Sequence, residues 1–231
     1  MPEAKGVEKE ATQMSESILL GALLMLAGGF LDAYSYLCRD GVFANAQTGN
    51  IVLFGISLAE QDWHMAAHYL LPIAVFAVGV YAAERMKWCW KLRRDIHWRQ
   101  IILLIEIVVI FATAFLGEQW NWLANSMISF VCALQVESFR KIRGNACATT
   151  MCTGNLRSAA ELMHSYRKTG NPILLRKSVV YYLLVVVFAL GAMLGGFFTK
   201  WLVYKAVLVG LIPLVVCFVM MFREEEVSLH H

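Results

Sequence analysis

Six long apolar runs alternate with short polar segments along this chain: residues 18–37, 65–83, 101–117, 120–136, 178–199 and 206–222. The last three hold no charged residue; the first and third hold one each, Asp32 and Glu106, and the second only His68. A bilayer core takes about 20 apolar residues per helix. The pattern therefore predicts an all-α integral membrane helical bundle of about six transmembrane helices. Trp63, Trp88, Trp120 and Trp201 fall at run ends, where an aromatic belt anchors short spans.

Between the runs, two stretches break the pattern. Residues 51–59 are apolar but too short to span, and residues 156–164 are similar in length and more polar. Each follows the tripeptide Thr-Gly-Asn, at Thr48-Gly49-Asn50 and at Thr153-Gly154-Asn155. The spacing predicts two short broken or re-entrant half-helices, with Thr as N-cap and Gly permitting close backbone approach. Such a helix start turns unpaired N–H groups and partial positive charge toward whatever lies ahead.

The tripeptide belongs to a longer repeat. Its offset of 105 (153 − 48) also aligns Asp32 with Glu137, Tyr34 with Phe139 and Gly28 with Ala133. Further on, Val75–Gly79 matches Val187–Gly191 at an offset of 112 (187 − 75). Two three-helix repeats follow, residues 18–117 and 118–222, flanked by tails at 1–17 and 223–231. Because each repeat holds three spans, the second enters the membrane inverted, a construction known from secondary transporters.

Charge orients the chain. With the N-terminus in the cytoplasm, all but Arg39, Lys200 and Lys205 of the 20 Lys and Arg lie inside, and both termini are cytoplasmic. The net charge of +3 is then a topology signal and not evidence for nucleic acid. Composition agrees with a membrane chain: 59% of the 231 residues are hydrophobic and 16% charged, against about 45–50% and about 25% in a soluble domain. The first run lacks a small-residue cleavage site and reads as an uncleaved helix. The six cysteines form no C-x-x-C pair and read as packing residues.

Candidate chemistry is sparse. An intramembrane carboxylate defaults to a functional reading, so Asp32, its repeat partner Glu137, and Glu106 are candidates for ion or proton coupling. Each has a structural alternative: Asp32 bonded to turn N–H groups or to Arg39, Glu137 paired with Arg140 or Lys141, Glu106 paired with Arg99. Asn45, Gln47, Thr48, Gly49 and Asn50, with Thr149, Thr150, Thr153, Gly154 and Asn155, offer neutral groups to a small polar solute or ion; the alternative is local turn chemistry. Gly79 and Ala83, and Gly191 and Gly195, are small residues four apart that suit close helix packing, within the monomer or across a homodimer. His64 and His68 lack a third strong ligand, so no metal is expected. No P-loop, G-x-S-x-G or H-E-x-x-H motif occurs, and no enzyme activity or cofactor is implied.

The stretch Gly29-Phe30-Leu31-Asp32-Ala33-Tyr34-Ser35-Tyr36, followed by Phe43-Ala44-Asn45-Ala46-Gln47-Thr48-Gly49-Asn50, resembles the YoaK-like family of bacterial membrane proteins, as does the second Thr-Gly-Asn after Ala148-Thr149-Thr150. The resemblance covers residues 17–222 and implies a multi-pass protein of the bacterial inner membrane. The expectation is a small-solute transporter or channel in the lipid bilayer, with a central site between two pseudo-symmetric broken helices. The competing expectation is a non-transporting scaffold or sensor that docks a cytosolic partner through the basic inner segment 140–177.

Overall fold

The computed structural model describes residues 17–90, 98–142, 145–146 and 152–229. Its elements are α1 (Ile18–Cys38), α2 (Gln47–Ala59), α3 (Trp63–Trp90), α4 (Trp98–Thr113), α5 (Asn121–Ser138), α6 (Cys152–Thr169), α7 (Pro172–Leu202) and α8 (Val207–Leu229). A two-residue antiparallel pair, Lys141–Ile142 with Asn145–Ala146, joins α5 to the segment before α6. Local chemistry sets the helix ends. Ser17 caps α1, its hydroxyl accepting from the Leu20 N–H at 3.1 Å. Asn171 caps α7 by accepting from the Ile173 N–H at 3.0 Å, with Pro172 in the first turn. Gly170, at φ +69°, closes α6, and its N–H returns to the Tyr166 carbonyl.

The six apolar runs coincide with α1, α3, α4, α5, α7 and α8. Three stretches among the described residues are long and apolar enough to cross a membrane: Ile18–Cys38, Trp63–Cys89, and Pro172–Phe222, which takes in both α7 and α8. Helix α8 runs on to Leu229, into the segment read as the C-terminal tail. Trp63, Trp88, Trp122 and Trp201 are exposed near helix ends, as an aromatic belt requires.

Packing crosses between the halves. Helix α1 lies on α7 and α3 on α5, while α4 and α8 pack on each other and flank α5 and α1. The close seams are made by small residues. A side chain at Gly191 would strike the Leu26 carbonyl, one at Gly29 the Phe188 carbonyl, and one at Gly195 the Phe30 carbonyl. At Gly79 it would lie 2.7 Å from both the Phe130 carbonyl and the Ala133 methyl. Ala83 is buried with Ile102 and Leu134. These small residues therefore pack within the monomer.

Helix directions follow from which ends meet. Helices α1 and α7 run parallel, Leu26 facing Gly191 and Phe30 facing Gly195. Helices α1 and α5 run antiparallel: Arg39, just past α1, bonds Asn121 at the start of α5. Helices α4 and α8 are also antiparallel, since Gln100 donates to the Met221 carbonyl at 3.0 Å. The main apolar core lies among α1, α4, α5 and α8, with Leu24, Leu31, Leu103, Ile128 and Leu214 fully or almost fully buried.

Candidate functional site

Asp32 lies past the middle of α1, 5% exposed. Its Oδ1 accepts from the Asn45 N–H at 2.7 Å and from the Ala46 N–H at 3.4 Å, in the turn that opens α2. Ser35 adds a further tie, its hydroxyl accepting from the Ala44 N–H at 3.0 Å. Asn45 itself donates to the Gly28 carbonyl at 3.2 Å. The carboxylate thus acts as an acceptor for backbone donors that α2 leaves open. Arg39 is not its partner.

The tripeptides sit inside their helices and not at the caps. Helix α2 begins at Gln47 with Ala46 as its cap residue and no side-chain cap bond. Thr48, Gly49 and Asn50 are its second to fourth residues, and Thr153, Gly154 and Asn155 hold the same places in α6. The expected Thr caps are therefore corrected: the cap residue of α2 is Ala46, with no side-chain cap bond, and Asp32 holds the Asn45 and Ala46 N–H groups of the turn before the helix. Helix α2 ends at Ala59, where its apolar run ends, whereas α6 runs past residue 164 to Thr169. At 13 residues α2 is about 20 Å long, shorter than a bilayer core of about 30 Å. At 18 residues α6 is longer but polar, with Arg157 bonded to Glu161 at 2.7 Å.

A cavity of about 640 Å³ gathers these pieces. One wall is Asp32, Ala33, Tyr36 and Leu37 of α1, and another is Phe188, Ala192 and Gly196 of α7. Gln47 and Thr48 of α2 and Cys152, Thr153 and Gly154 of α6 close it with two helix starts. Asn45, Ala46 and Phe43 complete the lining, and Phe43 stacks on Tyr36 with ring centroids 4.6 Å apart. The walls climb the C-terminal halves of α1 and α7, toward the end of the bundle that holds Arg39.

Five residues expected in the site line this cavity: Asn45, Gln47, Thr48, Thr153 and Gly154. Gly49, Asn50 and Asn155 do not. A side chain at Gly49 would meet the Phe43 ring at 2.7 Å, so this glycine seats that ring. Asn50 is fully buried and spends its amide on Phe43 and Gln47. Asn155 is 2% exposed, with its amide 3.9 Å from the Met25 sulfur. Thr149 and Thr150 lie outside the described residues.

The acidic candidates part company. Glu137 is far from a cavity role: it joins an ion-pair group at the ends of α3 and α5, 2.8 Å from Arg140 and 3.9 Å from Lys87, with Glu84 3.0 Å from Lys87. Glu106 is fully buried on α4 and has no bond to Arg99, whose Nε donates to the Ser138 carbonyl.

Arg39 is the residue that sequence reading missed. It is fully buried, donating to the Thr113 carbonyl at 2.8 Å, the Leu116 carbonyl at 2.9 Å, Asn121 Oδ1 at 2.8 Å and the Tyr34 hydroxyl at 3.0 Å. Its guanidinium carbon lies 4.2 Å from the centre of the Tyr204 ring. The carbonyls at the end of α4 carry partial negative charge, which suits a cation without a carboxylate partner. One signal existed: Arg39 was the lone basic residue between the first and second runs.

The sequence pattern of one protein family, described as a protein of unknown function (DUF1275), matches residues 20–220, and the chain belongs to that family. The chain is 24% identical over 182 residues to the UPF0700 transmembrane protein YoaK of Bacillus subtilis (strain 168), a match covering 75% of this chain and 80% of that relative. No solved structure matches the chain.

Proposed function

We propose that this member of the DUF1275 family is a small-solute transporter of the bacterial inner membrane, with both termini in the cytoplasm. One observation carries the reading: both Thr-Gly-Asn helix starts and the Asp32 carboxylate meet at one cavity of about 640 Å³. That volume suits a small ligand. The partial positive charge at the two helix starts attracts an anionic group, and Asp32 attracts a cationic one. A zwitterion, or an anion that moves with a proton, satisfies both.

The packing supports an inverted repeat. The helices matched by the repeat, α1 with α5 and α4 with α8, run antiparallel, and the α1–α7 seam is matched by the α3–α5 seam. Along the first seam lies the cavity, toward the side that the charge pattern makes external. The second seam is held by Gly79 and by the Glu84–Lys87–Glu137–Arg140 charges. Exchange of roles between the seams would carry the cavity to the other face.

A second reading keeps one support, the exposed Arg167, Lys168 and Arg176 around the α6–α7 turn, which suit a scaffold docking a cytosolic partner.

The test is accessibility. In a cysteine-free variant, single cysteines replace Gln61, Ser165 and Thr48, and intact cells meet a membrane-impermeant thiol reagent. The transporter reading expects labelling at Gln61 and Thr48 from outside, and at Ser165 only after the membrane is opened. Labelling of Gln61 and Ser165 from the same side overturns the inverted arrangement. Saturable uptake of zwitterionic or anionic solutes into proteoliposomes, lost in Thr153→Val, then identifies the substrate; no uptake alongside a stoichiometric cytosolic partner favours the scaffold.

A further inference from the structure

Among the described residues Glu106 is the one buried carboxylate that the cavity does not use. It is 0% exposed, and neither of its carboxyl oxygens has a hydrogen-bond partner. Its face of α4 is apolar, with Ile102, Leu103 and Ile110 fully buried beside it. Helix α4 packs on α5 and α8. From those two helices the titratable side chains that face it are the thiols of Cys132 and Cys217, both within its electrostatic reach. No basic side chain among the described residues acts on it.

An ionised carboxylate so placed has neither a counter-charge nor a donor, an arrangement that persists in membranes where it serves a function. Which cation it serves can be argued from its neighbours. Calcium and magnesium take about six or more oxygen ligands, and sodium is likewise a hard ion that seeks oxygen. Its neighbours on its own helix face, Ile102, Leu103 and Ile110, offer no oxygen, and among the described residues no group of three His, Cys, Asp or Glu gathers. A proton needs a single oxygen.

Cys132 lies within reach of both Glu106 and Asp32, and beside the Asn45 amide. Asn45 lines the cavity, and its Oδ1, also buried, has no donor. Cys132 of α5 therefore stands in the field of both carboxylates, Asp32 on the cavity wall and Glu106 in the α4–α5–α8 core.

We propose that the ion coupled to solute movement is the proton, not a metal cation, and that Glu106 is the group that binds and releases it. The inference rests on the transporter reading for the word "coupled". Its chemistry is one O–H bond: a proton from the cavity binds a Glu106 oxygen to give the neutral acid, and release restores the carboxylate. Asp32 has a different task, since its carboxylate remains tied to the α2 turn.

The full-length protein in proteoliposomes tests this without any substrate. Infrared difference spectra between acid and alkaline buffer should show a protonated-carboxyl band that titrates, is absent in Glu106→Gln, and is unchanged when sodium replaces choline in the buffer. To separate loss of the carboxyl from loss of the fold, the wild type is also treated with dicyclohexylcarbodiimide, an electrophile that takes the proton of a carboxylic acid in apolar surroundings and is then added to by its oxygen. The expected product is an adduct on the peptide containing Glu106 that falls away as pH rises. Protection by sodium, or a sodium-dependent band, overturns the proposal in favour of a metal cation. A pH-independent adduct, or no adduct with no titrating band, also overturns it, since Glu106 then never exchanges a proton. None of these outcomes alters the labelling of Gln61, Thr48 and Ser165, so failure here leaves the transporter reading standing on its own test.

Discussion

Asn50 grips Phe43 by both faces of its backbone. The Asn50 Oδ1 accepts from the Phe43 N–H at 2.9 Å, and its Nδ2 donates to the Phe43 carbonyl at 2.8 Å. The side chain imitates a strand neighbour for a single residue. It fixes the loop that carries Asn45 to Asp32, and it places the Phe43 ring over Tyr36 on the cavity wall. Asn50→Ala strands both groups, each at a cost of about 1–3 kcal/mol. Asn50→Asp keeps the acceptor and loses the donor, so it falls between. Thermal unfolding in detergent should rank them wild type, Asp, Ala; an unchanged midpoint in the alanine variant would show that the grip does not hold the loop.

The seam glycines and the open glycines should respond in opposite ways. Gly191→Ala drives a methyl into the Leu26 carbonyl, so α1 and α7 must separate. Overpacking of this kind costs about 1–3 kcal/mol or more. Gly55 on α2 has nothing within 4 Å of an added side chain, and Gly55→Ala should stabilise by up to about 1 kcal/mol through helix propensity. Gly154→Ala also meets no neighbour, yet its methyl enters the cavity. Its unfolding midpoint should stay at or above wild type while solute affinity falls. Equal effects of Gly191→Ala and Gly55→Ala on the midpoint would contradict the seam.

Arg39→Lys keeps the charge and loses the fork. One ammonium cannot reach two carbonyls, an amide and a hydroxyl that lie around a planar group. Loss of two or more of these bonds should cost about 2–4 kcal/mol. Arg39→Leu should be worse, because the α4 carbonyls stay buried without a donor. Comparable stability of all three proteins would mean that the cage is incidental.

Asp32 has two separable duties. Asp32→Asn retains an oxygen for the Asn45 and Ala46 N–H groups, so α2 should still start at Gln47 and stability should fall by about 1 kcal/mol or less. If the charge serves the solute, uptake should drop at least tenfold in this variant. Asp32→Leu removes the acceptor as well and should lower the unfolding midpoint clearly below that of Asp32→Asn. Full uptake by Asp32→Asn would leave Asp32 as an anchor alone.

Much of the site was legible because its signals are rare in an apolar chain. A carboxylate within an apolar run and a repeated Thr-Gly-Asn stand out against leucine and valine, and the cavity brings both together. The errors have physical causes. Thr48 looked like a cap, but the donors ahead of it are met by Asp32, 14 residues before Ala46; a bond between helices leaves no mark in local spacing. Glu137 is not among the errors: of its two expected readings the ion pair with Arg140 is the one present, joined by Lys87. The length of α6 was hidden because a polar helix lacks the hydropathy signal used to find the others. Arg39 read as a loop charge, since a buried arginine satisfied by carbonyls is identical in sequence to a solvated one.

The crossed seams set the order in which this chain can be assembled. Helix α1 emerges from the ribosome well before α7, which carries the surface shaped for Gly29; α3 likewise waits for α5. Early spans must therefore sit in lipid with glycine-lined grooves unfilled, held by insertion machinery or by passing neighbours, until the late helices arrive. Neither half has a private interior to fold around. Cut in the loop after α4 and made as two polypeptides, the halves should each be degraded alone and survive only when made together.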